Sequence, residues 1–587
     1  MTPSMPQPSA DPFSTATLPD TTDILVVGAG IAGLATAYGI ARVQPSCRVL
    51  VVEQAPTICS VTTAAAGGGF RCWWPENAGL GRLTRDSITR LRSMVHEDEG
   101  AAALEFHNPG YIMMSGRAEH VQHYLEKAAK ASAHGGGPVW LDGRPWPADR
   151  PASTETDDPG DTFDLDAYLD RRDGIDVIGC PGIIRQVLDR YWVRHDTRMA
   201  DTAADRENAT DALAVDKVKA LLHIRNAGHL NPVALGHRIA ARAMATGNVT
   251  IATQVSLVDV VYTSDHGSSD KRVAAAVLRH GPSSKEQAVH TSAIVLAVGP
   301  YLPILGTQLN IAFAVANEPH ARVGRGHGGE GRVRAAIGVW LAKFNARRRQ
   351  VVFNDPLAAG PSPGRSWTFW SDPVAVKTDN DGATTRMLSP NVHCRPWCPP
   401  ARPAETDALA NGTGRRQFTG VWTYENQQLR GSSALSAAAS ELVVPPPVPT
   451  EYPSFVLQGL CAMFPRLEGY LATSGKSPRQ ALDCVDAVHS GYYCKTHDQQ
   501  PMIGPILRDN ASNRLHGLWA CGALSGHGIM IALGCGHLLA QRLLAAGVIQ
   551  AEAGAGLDKR TIADYDGLFN VALGEFISNN ASLADQM

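Results

Sequence analysis

The run Ile24-Leu-Val-Val-Gly-Ala-Gly-Ile-Ala-Gly-Leu34, followed by Val49-Leu-Val-Val-Glu53, constrains this chain more than any other stretch. Four apolar residues read as a buried strand. Gly28, Gly30 and Gly33 then fall in G-x-G-x-x-G spacing and open a helix that begins at Ile31 and Ala32. The first glycine permits a tight turn. The second lets backbone approach a pyrophosphate, and the third lets helix pack close on strand. The helix N-terminus offers free N–H groups and a partial positive charge to phosphates. Glu53 ends the second strand 20 residues after Gly33, where a carboxylate can bind a ribose hydroxyl, with Gln54 beside it. An acid there disfavours a 2′-phosphate, so FAD or NAD fits better than NADP.

The spacing alone is weak. Gly324-Arg-Gly326-His-Gly-Gly329 also fits it. That stretch follows Pro319 rather than a strand, and no strand ending in an acid comes after it, so it reads as a flexible glycine-rich loop. Only the first motif has strand, turn, helix, second strand and acid in order.

Bulk properties narrow the class. A chain of 587 residues exceeds one hydrophobic core, so two or more domains are expected. A net charge of −3 gives no electrostatic case for nucleic acid. No apolar run reaches the roughly 18 residues that span a bilayer, so no membrane span is expected. Eleven cysteines, an odd number with scattered spacing, argue for reduced thiols. His393-Cys394-x-x-x-Cys398 lacks a second ligand pair and reads as loop cysteines, so no metal is assigned. Residues 1–21 carry neither a secretory nor a mitochondrial signal pattern, and the C-terminus is not of Ser-Lys-Leu type. A cytoplasmic enzyme with a disordered leader is the expectation.

Further nucleotide-fold pieces follow. Asn231-Pro232 is a helix cap and first turn, and Val249–Ile251, Val255–Tyr262 and Val273–Leu278 alternate like strands. Ser292–Pro300 is a buried strand ending in a glycine turn at Ala297-Val-Gly299. Near the C-terminus, Leu515–Cys521 runs as a strand into Ser525-Gly526-His527-Gly528 and a helix starting at Ile529 and Met530. The N–H groups of that helix suit the negative charge of a reduced flavin. The stretches 132–165, 198–212, 399–416 and 441–452 read as polar or Pro/Gly-rich insertions.

Together these motifs resemble the D-amino-acid-oxidase-like superfamily of FAD-dependent oxidoreductases. Thr62-Thr63-Ala-Ala-Ala66-Gly67-Gly68-Gly-Phe-Arg71 is similar to the family's second loop, which passes the pyrophosphate and isoalloxazine. Gly228–Pro232 is similar to its G-x-x-[DN]-P helix start, and Val255 fits the strand that contacts adenine. Asp498–Gly504 and Gly522–Met530 look like its C-terminal flavin signature. Gly67–Arg71, Pro75–Asn77 and Gly491–Tyr493 resemble the branch of FAD-dependent oxidoreductase domain-containing proteins, which includes a mitochondrial complex I assembly factor.

The resemblance implies an α/β fold. A discontinuous Rossmann-type FAD domain of glutathione-reductase-like kind would span 22–107, 226–310 and 485–550. A mixed-sheet α+β substrate domain would span 108–225 and 311–484, and a helical tail 551–587. Where several relatives attach FAD through a cysteine, this chain has Gly491, which implies noncovalent FAD; Cys494 lies nearby. Where sarcosine oxidases hold a carboxylate with arginine, this chain has Trp74.

The implied activity is oxidation of a C–N bond of an amine, imino acid or modified amino acid by hydride transfer to flavin N5. The implied partners are that small-molecule substrate and O2. The alternatives are a dehydrogenase with another acceptor, or an FAD-containing assembly protein without turnover. Arg71, as a cation beside the flavin, and Tyr492, Tyr493 and Lys495, as pocket walls and charge, are the candidate catalytic residues. Trp73 and Trp74 are open between lining the pocket and filling the domain junction. Glu318 and His320 read as a solvated loop.

Overall fold

The fold is described from a computed structural model over residues 11–14, 17–97, 100–146, 163–193, 215–264, 270–281, 285–321, 347–354, 366–377, 384–388, 390–396, 417–424, 452–472, 485–550 and 558–571. The Gly324–Gly329 stretch, Cys398 and the insertions 198–212 and 399–416 lie outside these residues.

A six-stranded sheet carries the first motif. Its strands are β1 (Ile24–Val27), β2 (Val49–Glu53), β3 (Val249–Thr253), β4 (Ala293–Leu296), β5 (Met502–Pro505) and β6 (Leu518–Gly522). They lie in the order β3-β2-β1-β4-β6-β5, all parallel except β5, which runs antiparallel to β6. Both faces are covered, which explains the unbroken apolar runs. Ile24 and Val26 pack into one core, and Leu25 and Val27 into another.

The first core holds four helices: α1 (Ile31–Val43), α2 (Ala78–His96), α3 (Pro232–Met244) and α4 (Gly528–Ala545). Asn77 caps α2 by accepting from Leu80 N at 2.9 Å. Asn231 caps α3 by accepting from Val233 N and Ala234 N, both at 3.1 Å, with Pro232 in the first turn. Helices α1 and α4 touch backbone to backbone. A Cβ on Gly39 would lie 2.4 Å from Gly536 O, and one on Gly536 would lie 2.0 Å from Ala35 O. This close crossing brings the N-termini of both helices to the same end of the sheet. By length and hydropathy α4 could cross a bilayer, although His537, Gln541 and Arg542 break its apolar run; 78% of it is buried in this core.

A second sheet is mixed and has eleven strands. Its order is Val315–Ala321, Val485–Thr496, Arg347–Asn354, Gln417–Tyr424, Val392–Pro396, Trp367–Trp370, Tyr111–Ser115, Ala220–Ile224, Ile175–Ile178, Val139–Leu141 and Arg144–Pro145. The strand Val485–Thr496, expected in the nucleotide domain, belongs here. It pairs antiparallel with both Val315–Ala321 and Arg347–Asn354, and its length commits it to this sheet. Glu318 and His320, expected in a loop, lie on the paired strand. Cys394, also expected in a loop, is a fully buried strand residue.

The leader is anchored from Asp11 onward. Asp11 accepts from Ile58 N at 2.9 Å, Ser14 Oγ from Thr253 N at 3.0 Å, and Thr21 bridges to His290. In the expected helical tail, the described part holds one short helix, Lys559–Asp564. Arg542 of α4 donates to Leu568 O at 2.7 Å and so ties that segment down.

Candidate active site

One cavity of about 350 Å³ runs from the C-terminal end of β1 and β2 to the underside of the large sheet. Its first part is built by the glycine turn. Gly28 sits at φ +104°, donates to Val52 O at 2.7 Å, and has no room for a Cβ, which would lie 2.6 Å from Ala297 O. Gly33 does not reach the cavity. A Cβ there would lie 1.8 Å from Gly28 O, so this glycine sets how closely α1 meets the turn. Gly30 differs from both. Its φ is −75°, and the nearest atom to an added Cβ is Thr63 Oγ1 at 3.5 Å, so protein does not fill the space beside it.

Glu53 is held by two backbone donors, Ala29 N at 2.8 Å on Oε2 and Ala55 N at 2.9 Å on Oε1. Burial raises its carboxyl above the usual range, and these N–H groups offset part of that shift. Gln54, Val255, Ala297 and Gly299 line the same end of the cavity, as do Ser256, Leu257 and Tyr301.

Around the middle lie Ile31, Ala32, Thr62, Thr63, Ala66, Gly67 and Gly68. Thr63 Oγ1 accepts from Ile31 N at 3.1 Å and steadies the start of α1. Thr62 Oγ1 is buried without any partner. Opposite stands the C-terminal turn, Ser525, Gly526, His527, Gly528, Ile529 and Met530. Ala523 and Ser525 both adopt φ +50°, a costly conformation for residues other than glycine. Ser525 N donates to Cys494 O at 3.0 Å, joining this turn to the large sheet. No side chain caps α4, so its first N–H groups face the cavity end of the helix.

Arg71, Tyr492 and Tyr493 line the inner part of the cavity. Arg71 follows Gly69 on a short strand paired with Ala227–His229. It is only 7% exposed, its side chain makes no hydrogen bond or ion pair among the described residues, and its Nε is buried without a partner. Burial lowers its pKa, opposed by the nearby phenols of Tyr111 and Tyr493. Its guanidinium carbon stands 5.4 Å over the Trp74 ring, which meets the His527 ring edge-on at 4.6 Å. A buried cation without an anion is costly, so this site is built for an anionic group of a bound molecule.

Lys495 is buried but not on the wall, which ends at Cys494. Trp73 and Trp74 do not line the cavity either. Trp73 packs in the core with Tyr111, Tyr124 and Trp367 on the eleven-stranded sheet, and Trp74 in the core with α1, α2 and α4. The sequence motifs also missed a wall made by Tyr111, Trp367, Phe369, His393 and Val421, each from a different strand of the large sheet or two apart on one. Among the described residues no group of three His, Cys, Asp or Glu could hold a metal.

The cradle fits a flavin dinucleotide. An open face at Gly30, an unpartnered Thr62 hydroxyl, a backbone-held acid and an anion-seeking guanidinium lie along one cavity. Residues 23–175 match the family described as FAD dependent oxidoreductase, DAO. A 129-residue stretch is 28% identical to FAD-dependent oxidoreductase domain-containing protein 1 of Bos taurus, covering 21% of this chain and 26% of that protein. The chain therefore matches about a quarter of that relative's length. The fold is that of L-proline dehydrogenase from P. horikoshii, with TM-score 0.52, 14% identity, and 91% and 96% of the two chains covered. It is also similar to that of a mutant of NikD, an amino acid oxidase of nikkomycin biosynthesis, with TM-score 0.50, 14% identity and coverage of 96% and 100%.

Proposed function

We propose that the chain binds FAD noncovalently and oxidises the C–N bond of an amine, imino acid or modified amino acid, with O2 as acceptor. The observation that carries this reading is the continuity of one cavity from the dinucleotide cradle to the unpaired, buried guanidinium of Arg71. The amino acid oxidase and the dehydrogenase that share the fold support it.

When bound, FAD supplies the two-electron sink that takes the hydride equivalent from the carbon beside nitrogen and passes the pair to O2, giving H2O2. The chain's own residues bind and orient. Gly30 and the start of α1 would hold the pyrophosphate, with Gly28 shaping the turn, and Glu53 would accept from the ribose. The start of α4 and Arg71 offer positive charge to the inner end of the cavity. The apolar walls exclude water and lower the pKa of the substrate amine, which favours its neutral, reactive form.

Noncovalent attachment is supported by Gly491 on the wall and by Cys494, whose buried thiol is pushed up to about 12 and so stays protonated. A reducing, cytoplasmic setting is supported by the nine described cysteines, all free thiols.

Anaerobic mixing of the purified protein with secondary amines, imino acids and amino acids tests the reading. Bleaching of the visible flavin band by one class, reversed by air with peroxide release, is expected. Bleaching without reoxidation by air would replace the oxidase by a dehydrogenase, and no bleaching by any compound would refute the C–N assignment.

A further inference from the structure

We propose that the leader turn at residues 11–14 is part of the cofactor site: Asp11 and Ser14 are positioning residues that clamp the two loops at the Glu53 end of the cavity and so set how tightly FAD is held. The inference rests on the FAD reading and adds two residues that serve it.

The turn forms from its own sequence. Asp11 Oδ1 accepts from Phe13 N at 2.9 Å and Asp11 O from Ser14 N at 2.9 Å, with Pro12 between them. Proline presets the backbone of such a turn, and an aspartate before it accepts from the backbone two residues on. Asp11 Oδ2 and Ser14 Oγ are then two acceptors held by one short turn. Phe13 seats that turn on the first core, its ring 5.3 Å from the ring of His237 on α3.

Each acceptor takes a backbone N–H beside a strained residue. Asp11 Oδ2 accepts from Ile58 N at 2.9 Å, and the next residue, Cys59, stands at φ +57°. Ser14 Oγ accepts from Thr253 N at 3.0 Å, and the next residue, Gln254, stands at φ +58°. Left-handed backbone at residues other than glycine persists only where the surroundings over-determine it. Both bends lead into the cavity wall, one into residues 59–63 and the other into residues 255–257.

The same two bends converge on Glu53. Thr253 is its register partner across β2 and β3. Gln254 N donates to Ala55 O at 3.0 Å, and Ala55 N donates to Glu53 Oε1 at 2.9 Å. Cys59 N donates to Ala29 O at 3.0 Å, and Ala29 N donates to Glu53 Oε2 at 2.8 Å. Each leader contact is thus linked through a neighbouring residue to one oxygen of the carboxylate that faces the ribose. Burial, with the charges of Glu53 and Asp11, pushes the Cys59 thiol between these loops up to about 12. Lifting the turn frees both bends to relax, and the donors that fix the acid move with them.

Titration of the apo-protein with FAD and hydrogen exchange of the leader test this in the full chain. In the double variant Asp11→Ala, Ser14→Ala the FAD Kd is expected to rise about tenfold. The visible spectrum of the bound flavin should stay that of wild type, because the inner end of the cavity is untouched. Linkage requires the reverse effect: in wild type, saturating FAD should slow exchange of the Phe13 and Ser14 amides by the same factor. A leader with only a structural role would exchange at one rate with and without FAD. That result, an unchanged Kd in the variant, or a shifted flavin spectrum would overturn the proposal. Exchange in the wild type decides the matter if the variant does not fold. Wild type that takes up no FAD refutes the flavin reading and this inference with it; wild type that binds FAD while leader exchange stays constant refutes only the inference.

Discussion

Replacing Gly30 by alanine separates the cofactor from the fold. At Gly33 an added methyl collides with Gly28 O at 1.8 Å, so Gly33→Ala must pry α1 from the turn. At Gly30 the same methyl meets only Thr63 Oγ1 at 3.5 Å, and the backbone is extended at φ −75°. Alanine is a poorer helix cap than glycine by about 0.5–1 kcal/mol, and loss of glycine's unfolded-state entropy returns about 0.4–1 kcal/mol. The apo-protein with Gly30→Ala should thus keep its melting temperature within a few degrees. The methyl fills the face through which backbone N–H groups reach a pyrophosphate. Losing one charge-assisted hydrogen bond there costs about 1.5–3 kcal/mol, or roughly 10- to 100-fold in FAD Kd. The assay is a thermal melt of apo-protein beside a fluorescence titration with FAD. Normal melting together with unweakened FAD binding would refute the placement of the pyrophosphate. Gly33→Ala should lower the melt itself.

Other expectations follow from the same site. Arg71→Met removes an unpaired buried charge, so the apo-protein should melt no lower than wild type, because loss of the Trp74 contact is offset by the relieved desolvation; flavin reduction by substrate should fall at least tenfold, and a large drop in melting temperature would contradict the assignment. Burial raises the carboxyl pKa of Glu53, so in the fold it binds its proton more tightly than in the unfolded chain. Its contribution to apo stability is therefore complete below the usual value of 4.5 and shrinks as pH rises through the raised folded value. The melting difference between wild type and Glu53→Gln should narrow across that rise, and a difference that widens would show the sign to be wrong. A methyl on Gly526, at φ +82°, would lie 2.3 Å from the Tyr493 ring. Gly526→Ala should displace that tyrosine and cost about 1–3 kcal/mol of stability, read by melting.

The parts legible in the sequence are those made by short stretches of chain. The turn at Gly28–Gly33, the acid at Glu53, the cap at Asn231 and the turn at Ser525–Gly528 each follow from local geometry, and their residues meet in one cavity save Ala29, Gly33, which packs on the turn, and Asn231, which caps its helix away from the cavity wall. The aromatic wall left no such mark. Tyr111, Trp367, His393 and Val421 come together only because Trp367–Trp370 pairs parallel to Tyr111–Ser115 and antiparallel to Val392–Pro396, which in turn pairs with Gln417–Tyr424. Long crossovers of this kind carry no periodic signature. The strand Val485–Thr496 misled for a related reason. Its motif residues Gly491–Tyr493 do reach the cavity, but its hydrogen bonds belong to the large sheet. Lys495, expected as a charge near the flavin, is buried, and the wall stops one residue short of it at Cys494.

The most direct test of the account is the visible spectrum and flavin content of the purified chain, before and after acid precipitation. The account predicts a yellow protein with one flavin per chain, released into the supernatant as FAD. A colourless protein that takes up no added FAD, or flavin that stays with the precipitate, would contradict it.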